Sequence, residues 1–385
     1  MQNKTARATA LAALLTAPAL YAGITTTPPE TKPDDKSGFD ELWGLATLYK
    51  NDANPILQEL KLRGRYQGQY HWLDSDEGDS DDWENRRSRL GFDAKLFDRK
   101  IEIRLDTQSS AEFDPFYDRL VDAYIKWKPS KSFSLTAGRQ KPQIGFYDWL
   151  ESTNGQPTFE RSQIFNQLRV DRATGLVAEG KHGHWTGQAG AYSNDIDREF
   201  GGLDGGWSYG AGIGYDFKDA WQLDKATWRL DWLHSDHDAV DSVLNRYENL
   251  LSTSLWVMRG AWNFVTEAFY ATGGEGRDGD VFGVFFQPTY DLIPKKLQLV
   301  GRLTWTAGDG PDSVIAQSRY EREAPALTGG GRGDQYFAAY LGLQHFIYGD
   351  KLKLLAGAEY AHLDGGGNGG DFEGVTFLTG LRVSF

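Results

Sequence analysis

The chain has no cysteine among its 385 residues, which excludes disulfides, thiolate metal centres and cysteine nucleophiles together. It has no basic excess either. Its 41 lysines and arginines stand against 54 aspartates and glutamates, a net charge of −13 that argues against a nucleic-acid binder. No apolar run reaches the ~20 residues of a membrane-spanning helix. What is present is 45 glycines, 13 tryptophans and an aromatic fraction of 14%, too many aromatics for a disordered polymer. The mean hydropathy of −0.53 does not argue for a water-soluble protein. A membrane β-barrel alternates polar and apolar residues and averages out hydrophilic.

The N-terminus reads as a targeting segment. Lys4 and Arg7 precede a short apolar stretch at 8–15, and Ala17-Pro18-Ala19 and Ala22 offer small-residue cleavage sites. Residues 1–22 are therefore expected to be a cleaved signal peptide and 23–58 a periplasmic linker. Within that linker, 25–36 is rich in Pro, Thr and charge. Phe39, Leu42, Trp43, Ala46 and Tyr49 have the spacing of one amphipathic helix over 38–51.

From residue 59 the period changes to two. Leu60, Leu62, Tyr66, Tyr70 and Trp72 alternate with Lys61, Arg63, Arg65, Gln67, Gln69 and His71. The last segment repeats the pattern, with Val375, Phe377, Leu381, Val383 and Phe385 on one face. Alternation over about ten residues suits a membrane strand, whereas soluble strands are nearer five or six. Sixteen such segments follow one another. They lie near 59–72, 84–97, 100–109, 119–128, 133–142, 173–181, 184–193, 207–217, 225–235, 247–258, 261–271, 280–290, 296–307, 336–347, 351–362 and 373–385. Their connections alternate between short turns and long loops rich in Asp and Gly. This predicts an all-β fold: a 16-stranded antiparallel transmembrane β-barrel over 59–385, with short periplasmic turns and long external loops. No repeat of propeller length is present. Tryptophans and tyrosines cluster near the strand ends, as the aromatic girdles of an outer-membrane barrel require. Phe385, a terminal aromatic on an alternating strand, is expected to act as the assembly signal.

Three short motifs resemble the phosphate-selective porin O and P family. They are Arg86-Arg87-Ser88-Arg89-Leu90-Gly91 in the second strand, Gly138-Arg139-Gln140-Lys141-Pro142-Gln143-Ile144-Gly145 at the end of the fifth, and Asp171-Arg172-Ala173-Thr174-Gly175 at the sixth. Gln140 stands where the family's segment has Phe. The resemblance implies a water-filled, homotrimeric porin of the bacterial outer membrane whose third long loop folds into the lumen.

That third connection, 143–171, is the longest, and a loop of this length without strand pattern is uncommon unless it has a function. Tyr147, Trp149, Glu151, Glu160, Arg161 and Arg169 are its candidate constriction residues. Selectivity follows lumen charge. By alternation the inward set on the first two strands is Lys61, Arg63, Arg65, Arg87, Arg89 and Lys95 against a single Asp93. The third and fourth strands add Arg104 and Lys126 among Glu102, Asp106 and Asp122. The expected function is passive diffusion of small hydrophilic solutes with a preference for anions, phosphate among them. The alternatives are a structural barrel with a closed lumen and a periplasmic partner, and a sugar-preferring porin. The expected partners are outer-membrane lipids, lipopolysaccharide and small anionic or polar solutes. No catalytic residues, cofactor or metal are expected. The calcium-like glycine motifs at 273–278 and 366–371 are too far apart to stack, and His234 to Asp238 reads as loop polarity.

Overall fold

The computed structural model describes residues 37–385 apart from 197–198, 201, 203–204, 237–241, 245, 275–277, 329 and 366–369. The expected signal peptide and the 25–36 linker lie outside the described residues, as do His237, Asp238 and parts of both glycine motifs. Two units are distinguished, 1–41 and 42–385. In the first, Ser37 caps the start of a helix: its Oγ accepts from the Asp40 N–H at 3.3 Å, and its own N–H and hydroxyl donate to Asp40 Oδ2 at 2.9 Å.

The second unit is the barrel. Its strands are β1 (Leu57–Ser75), β2 (Ser80–Leu96), β3 (Ile101–Gln108), β4 (Arg119–Ser130), β5 (Phe133–Gln140), β6 (Ala173–His182), β7 (Trp185–Ser193) and β8 (Trp207–Asp216). The second half comprises β9 (Lys225–Ser235), β10 (Asn249–Arg259), β11 (Trp262–Thr272), β12 (Val281–Ile293), β13 (Leu297–Gly308), β14 (Gln335–Tyr348), β15 (Leu352–Asp364) and β16 (Phe372–Ser384). Each pairs antiparallel with its sequence neighbour, and β16 pairs with β1 from Gly374↔Ser75 to Ser384↔Arg65. The ring is closed, which leaves no unpaired backbone edge for lipid.

All sixteen expected strands are present. The alternation is inverted relative to a soluble protein. On β14, Phe337, Leu341 and Leu343 face outward while Tyr336, Tyr340 and Gln344 face inward and are buried. The interior also buries Glu267, Arg302, Lys353, Glu359 and Arg382, side chains that tolerate burial only when paired or hydrogen-bonded. Trp72, Trp83, Trp127, Trp185, Trp262 and Trp305 are exposed on the outer face, consistent with boundary girdles. Two of the short turns rely on glycine in the left-handed region, Gly183 and Gly260, both at φ 57°.

The sequence expectation fails at 38–51. Only Gly38–Gly44 (α1) is helical, and Thr47–Lys50 forms a short strand paired antiparallel with Glu59 to Lys61 of β1. The intervening Asn51 and Asn54 supply the reversal: Asn51 Oδ1 accepts from the N–H of Ala53 at 3.0 Å, and Asn54 Oδ1 from that of Ile56 at 2.9 Å. The helical spacing of five apolar residues was outweighed by this local turn. β1 and β2 are also longer than expected and narrow the first loop to 76–79.

Candidate functional site

The connection between β5 and β6 does not project outward. Ile144, Tyr147, Trp149, Ile164, Phe165 and Leu168 from this segment form one buried cluster with Val177, Leu250, Val265, Phe269 and Phe285 of the strands. It therefore packs on the apolar inward positions of β6–β12. Polar contacts fasten it both to these strands and to β13 and β16 beyond them. Asp148 N–H donates to Glu267 Oε2 at 2.9 Å, and Gln287 Nε2 donates to the Tyr147 hydroxyl at 2.9 Å. The Arg382 guanidinium donates to the carbonyls of Thr153, Gln156, Thr158 and Phe159 at 2.7–2.9 Å. Arg302 holds the Glu160 carbonyl at 2.8 Å and the Glu359 carboxylate at 2.9 Å. The short helix α2 (Gln163–Leu168) starts at Ser162, whose Oγ accepts from the Phe165 N–H, and ends at Arg169 in the left-handed region.

The motif residues that carried the family resemblance anchor this segment. Lys141 donates to the carbonyls of Trp149, Leu150 and Glu151. The Trp149 indole N–H donates to the Pro142 carbonyl at 3.1 Å. Lys141 Nζ, the Arg161 guanidinium and the Arg172 guanidinium lie 4.9, 5.0 and 5.4 Å from the Trp149 ring centre. Each such cation–π contact contributes roughly 0.5–2 kcal/mol. Arg172 also pairs with Asp122 on β4 at 2.7 Å. Burial lowers the affinity of Lys141 for its proton, and the nearby Arg161 and Arg172 lower it further. Burial brings Arg161 down to about 10 although Asp148 opposes the shift. Burial alone would raise Glu160, but Arg86 at 2.6 Å holds it well below the usual carboxylate range.

A second segment joins the first inside the barrel. Between β13 and β14, Ser313, Val314, Ile315, Gln317, Tyr320 and Glu321 are buried. Gln163 of α2 donates to the Ile315 carbonyl and Gln167 to that of Ser313, each at 2.5 Å. Asn166 donates to Gln317 Oε1 at 2.7 Å. Periodicity gave no signal for this second inward loop; its sequence reads as an ordinary glycine-rich connection.

The two segments leave open a cavity of about 990 Å³ against the inner wall of β1–β6. Among the described residues, fourteen arginines and two lysines line it, against four carboxylates. Arg63, Arg65, Arg87, Arg89, Arg104 and Lys126 of the expected set are there, with Trp149, Arg161 and Arg169 from the loop. Lys61 lines a small adjoining hollow instead. Lys95 pairs with Glu59 at 2.7 Å, away from the cavity. Tyr147 and Glu160 are buried within the packed loop, and Glu151 is half-buried beside it. Phe385 sits at the β1–β16 seam, its N–H donating to the Gly64 carbonyl at 3.0 Å.

Arg63, Arg65, Arg87 and Arg89, expected together on the inward face, do not share one environment. Arg63 is bridged to both Asp93 at 2.8 Å and Asp106 at 3.0 Å, and Asp93 also takes Arg104 at 2.8 Å. Alternation along one strand does not report which carboxylates stand diagonally across the sheet. Among the described residues, Arg65, Arg87 and Arg89 form no ion pair. Arg65 donates to Thr153 and Ser152, Arg87 to Gln67 at 2.9 Å, and Arg89 to Gln108 at 3.1 Å. Arg86 was missed because strict alternation turns it outward. A bulge between Gln67↔Arg87 and Gly68↔Asn85 inserts one extra residue on β2, and both Arg86 and Arg87 reach the cavity. Arg139, Arg246, Arg319 and Arg322, from β5 and two other loops, were also not anticipated as lining residues.

Residues 60–218 match the family model of phosphate-selective porin O and P. No curated protein sequence matches the chain. Among solved structures it is similar to an anion-selective porin from Comamonas acidovorans, at 11% identity and TM-score 0.58 over 85% of this chain and 99% of that one. It is similar to OmpF of Salmonella typhi in complex with daunomycin, at 14% identity and TM-score 0.58 over 88% and 100%. It is also similar to in-vitro folded OmpT of Vibrio cholerae in its trimer form, at 11% identity and TM-score 0.57 over 85% and 99%. These likenesses show the fold, a closed sixteen-stranded porin barrel.

Proposed function

We propose that this barrel is a passive diffusion channel of the bacterial outer membrane that passes small hydrophilic solutes and prefers anions. The observation that carries the reading is the lining of the large cavity: among the described residues, sixteen cations against four carboxylates, in a chain whose net charge is −13. A concave, water-filled wall of one sign raises the local concentration of the opposite ion. The arginines also offer forked donors to phosphate or carboxylate groups. The two inward loops supply the narrowing, since they pack inside the barrel and leave the large cavity open against the arginine wall of β1–β6. The family match over residues 60–218 supports the same reading. A sugar-preferring channel has less support, because cations already surround the ring of the cavity's Trp149. Export by the segment at 1–22 and assembly as a homotrimer belong to this reading too; similarity to a porin solved in a trimer form supports the latter.

The test is the zero-current potential of the purified protein in planar bilayers under a KCl gradient. Chloride preference is expected. Cation preference, or no conductance at all, overturns the proposal, the second outcome in favour of a structural barrel.

A further inference from the structure

A second cavity, of about 510 Å³, lies at the turn end of the barrel between the ends of β4, β6 and β8 and the starts of β5, β7 and β9. It has five cations and one carboxylate on its wall. Among the described residues, only Lys126 and Glu179 line both this cavity and the large one. They form an ion pair with each other, reaching diagonally across β5. Ser134 donates to the same Glu179 oxygen at 3.0 Å and so pins the carboxylate to the wall. Among the described residues Lys126 has no second anchor of this kind, and its side chain is a quarter exposed.

We propose that the Lys126–Glu179 pair is the neck of the permeation path and sets which ions cross from the large cavity to the turn-side one. The inference rests on the diffusion-channel reading above. On either side the wall is strongly positive; at the neck the pair is neutral. An anion passes by taking the Lys126 ammonium from Glu179, and the wall-pinned carboxylate limits how long it stays. Glu179 is the one carboxylate common to both cavities, so its charge is felt by every ion that crosses.

The experiment compares chloride-to-potassium permeability ratios and single-channel conductance of reconstituted native channels with two neck variants. Glu179→Gln frees the ammonium and is expected to raise the ratio at least threefold. Lys126→Gln leaves the carboxylate alone and is expected to lower it at least threefold. Asp219→Asn, at an exposed carboxylate that lines neither cavity, is expected to match the native channel. Because the chain has no cysteine, Lys126→Cys introduces a unique thiol in an assembled barrel. A negatively charged thiol reagent added there should reduce chloride current, and a positively charged one should restore it. Native anion preference with no response to any of these changes overturns the neck while leaving the channel reading intact. Loss of anion preference in the native protein overturns the channel reading itself.

Discussion

Replacing Arg65, Arg87 and Arg89 together by glutamine should cut the chloride-to-potassium permeability ratio about fivefold. Arg65 and Arg89 stand directly opposite one another, and Arg87 occupies the next inward level, paired with Gln67. Inward levels are two residues apart, ~6.8 Å along a strand, and neighbouring strands are ~4.8 Å apart, so one patch holds all three guanidiniums. A unit charge ~8 Å from an ion is worth about 0.5 kcal/mol at the dielectric constant of water. Three such charges give about 1.5 kcal/mol, and the difference between an anion and a cation is twice that. Screening over one Debye length at physiological salt leaves roughly a third, about 1 kcal/mol, which is about a fivefold change in ratio. A lower effective dielectric in the narrowed lumen makes the effect larger. Arg63→Gln serves as the contrast. It removes a cation already bridged to two carboxylates and uncovers Asp93 and Asp106, so it adds local negative charge rather than testing the free patch. The assay is the reversal potential under a KCl gradient at two ionic strengths. An unchanged ratio in the triple variant at both would refute the reasoning.

The protein should fractionate with outer membranes and migrate in unheated SDS as a folded barrel; recovery as a soluble periplasmic monomer would contradict the membrane reading. Deleting Phe385 should lower the amount of assembled barrel, because its backbone closes the seam with Gly64 and its ring lies where a Gly64 Cβ would be, 2.1 Å from the nearest ring atom. Normal membrane levels of the truncated chain would contradict this. The inward loop between β13 and β14 should loosen as pH rises. Burial pushes the Glu321 carboxyl up to about 8, with Glu359 adding to the shift and the Tyr336 hydrogen bond opposing it. The undocked loop loses its proton near 4.5 while the docked one keeps it, so docking weakens from pH ~4.5 and is weakest above 8. Limited proteolysis of 309–334 from pH 5 to 9 reads this directly, and identical profiles for native protein and Glu321→Gln would rule it out.

Strand content was legible because a period of two with one lipid face is imposed residue by residue, and Phe337, Leu341 and Leu343 reveal it without reference to any partner. The basic wall was legible for the same reason. What periodicity does not carry is contact across strands. Whether Arg63 is free depends on Asp93 and Asp106, two residues on neighbouring strands, and whether Arg86 faces inward depends on a one-residue bulge. The inward course of the first loop was suggested by its length and by family resemblance. The second inward loop had no such cue, since its docking rests on polar side chains, Gln163, Asn166 and Gln167, that belong to the first.

The unpaired arginines are also where stability and function should part. Other interior arginines are paired, as Arg302 is with Glu359 and Arg86 with Glu160. Arg65 and Arg89, by contrast, are like charges placed directly opposite, an arrangement that destabilises a sheet by roughly 0.2–1 kcal/mol. Their partners are neutral, and among the described residues the Arg65 Nε has no hydrogen-bond acceptor. Leaving a desolvated cation without a carboxylate is costly, and glutamine at these positions keeps much of the hydrogen bonding without the charge. The triple glutamine variant should therefore retain or raise the temperature at which the barrel unfolds in SDS while losing selectivity. Opposite signs in the two measurements would mean that the arginines are kept for the solute and not for the fold. A parallel fall in both would mean that the patch holds the loop in place, and that the lost selectivity is secondary to a loosened constriction.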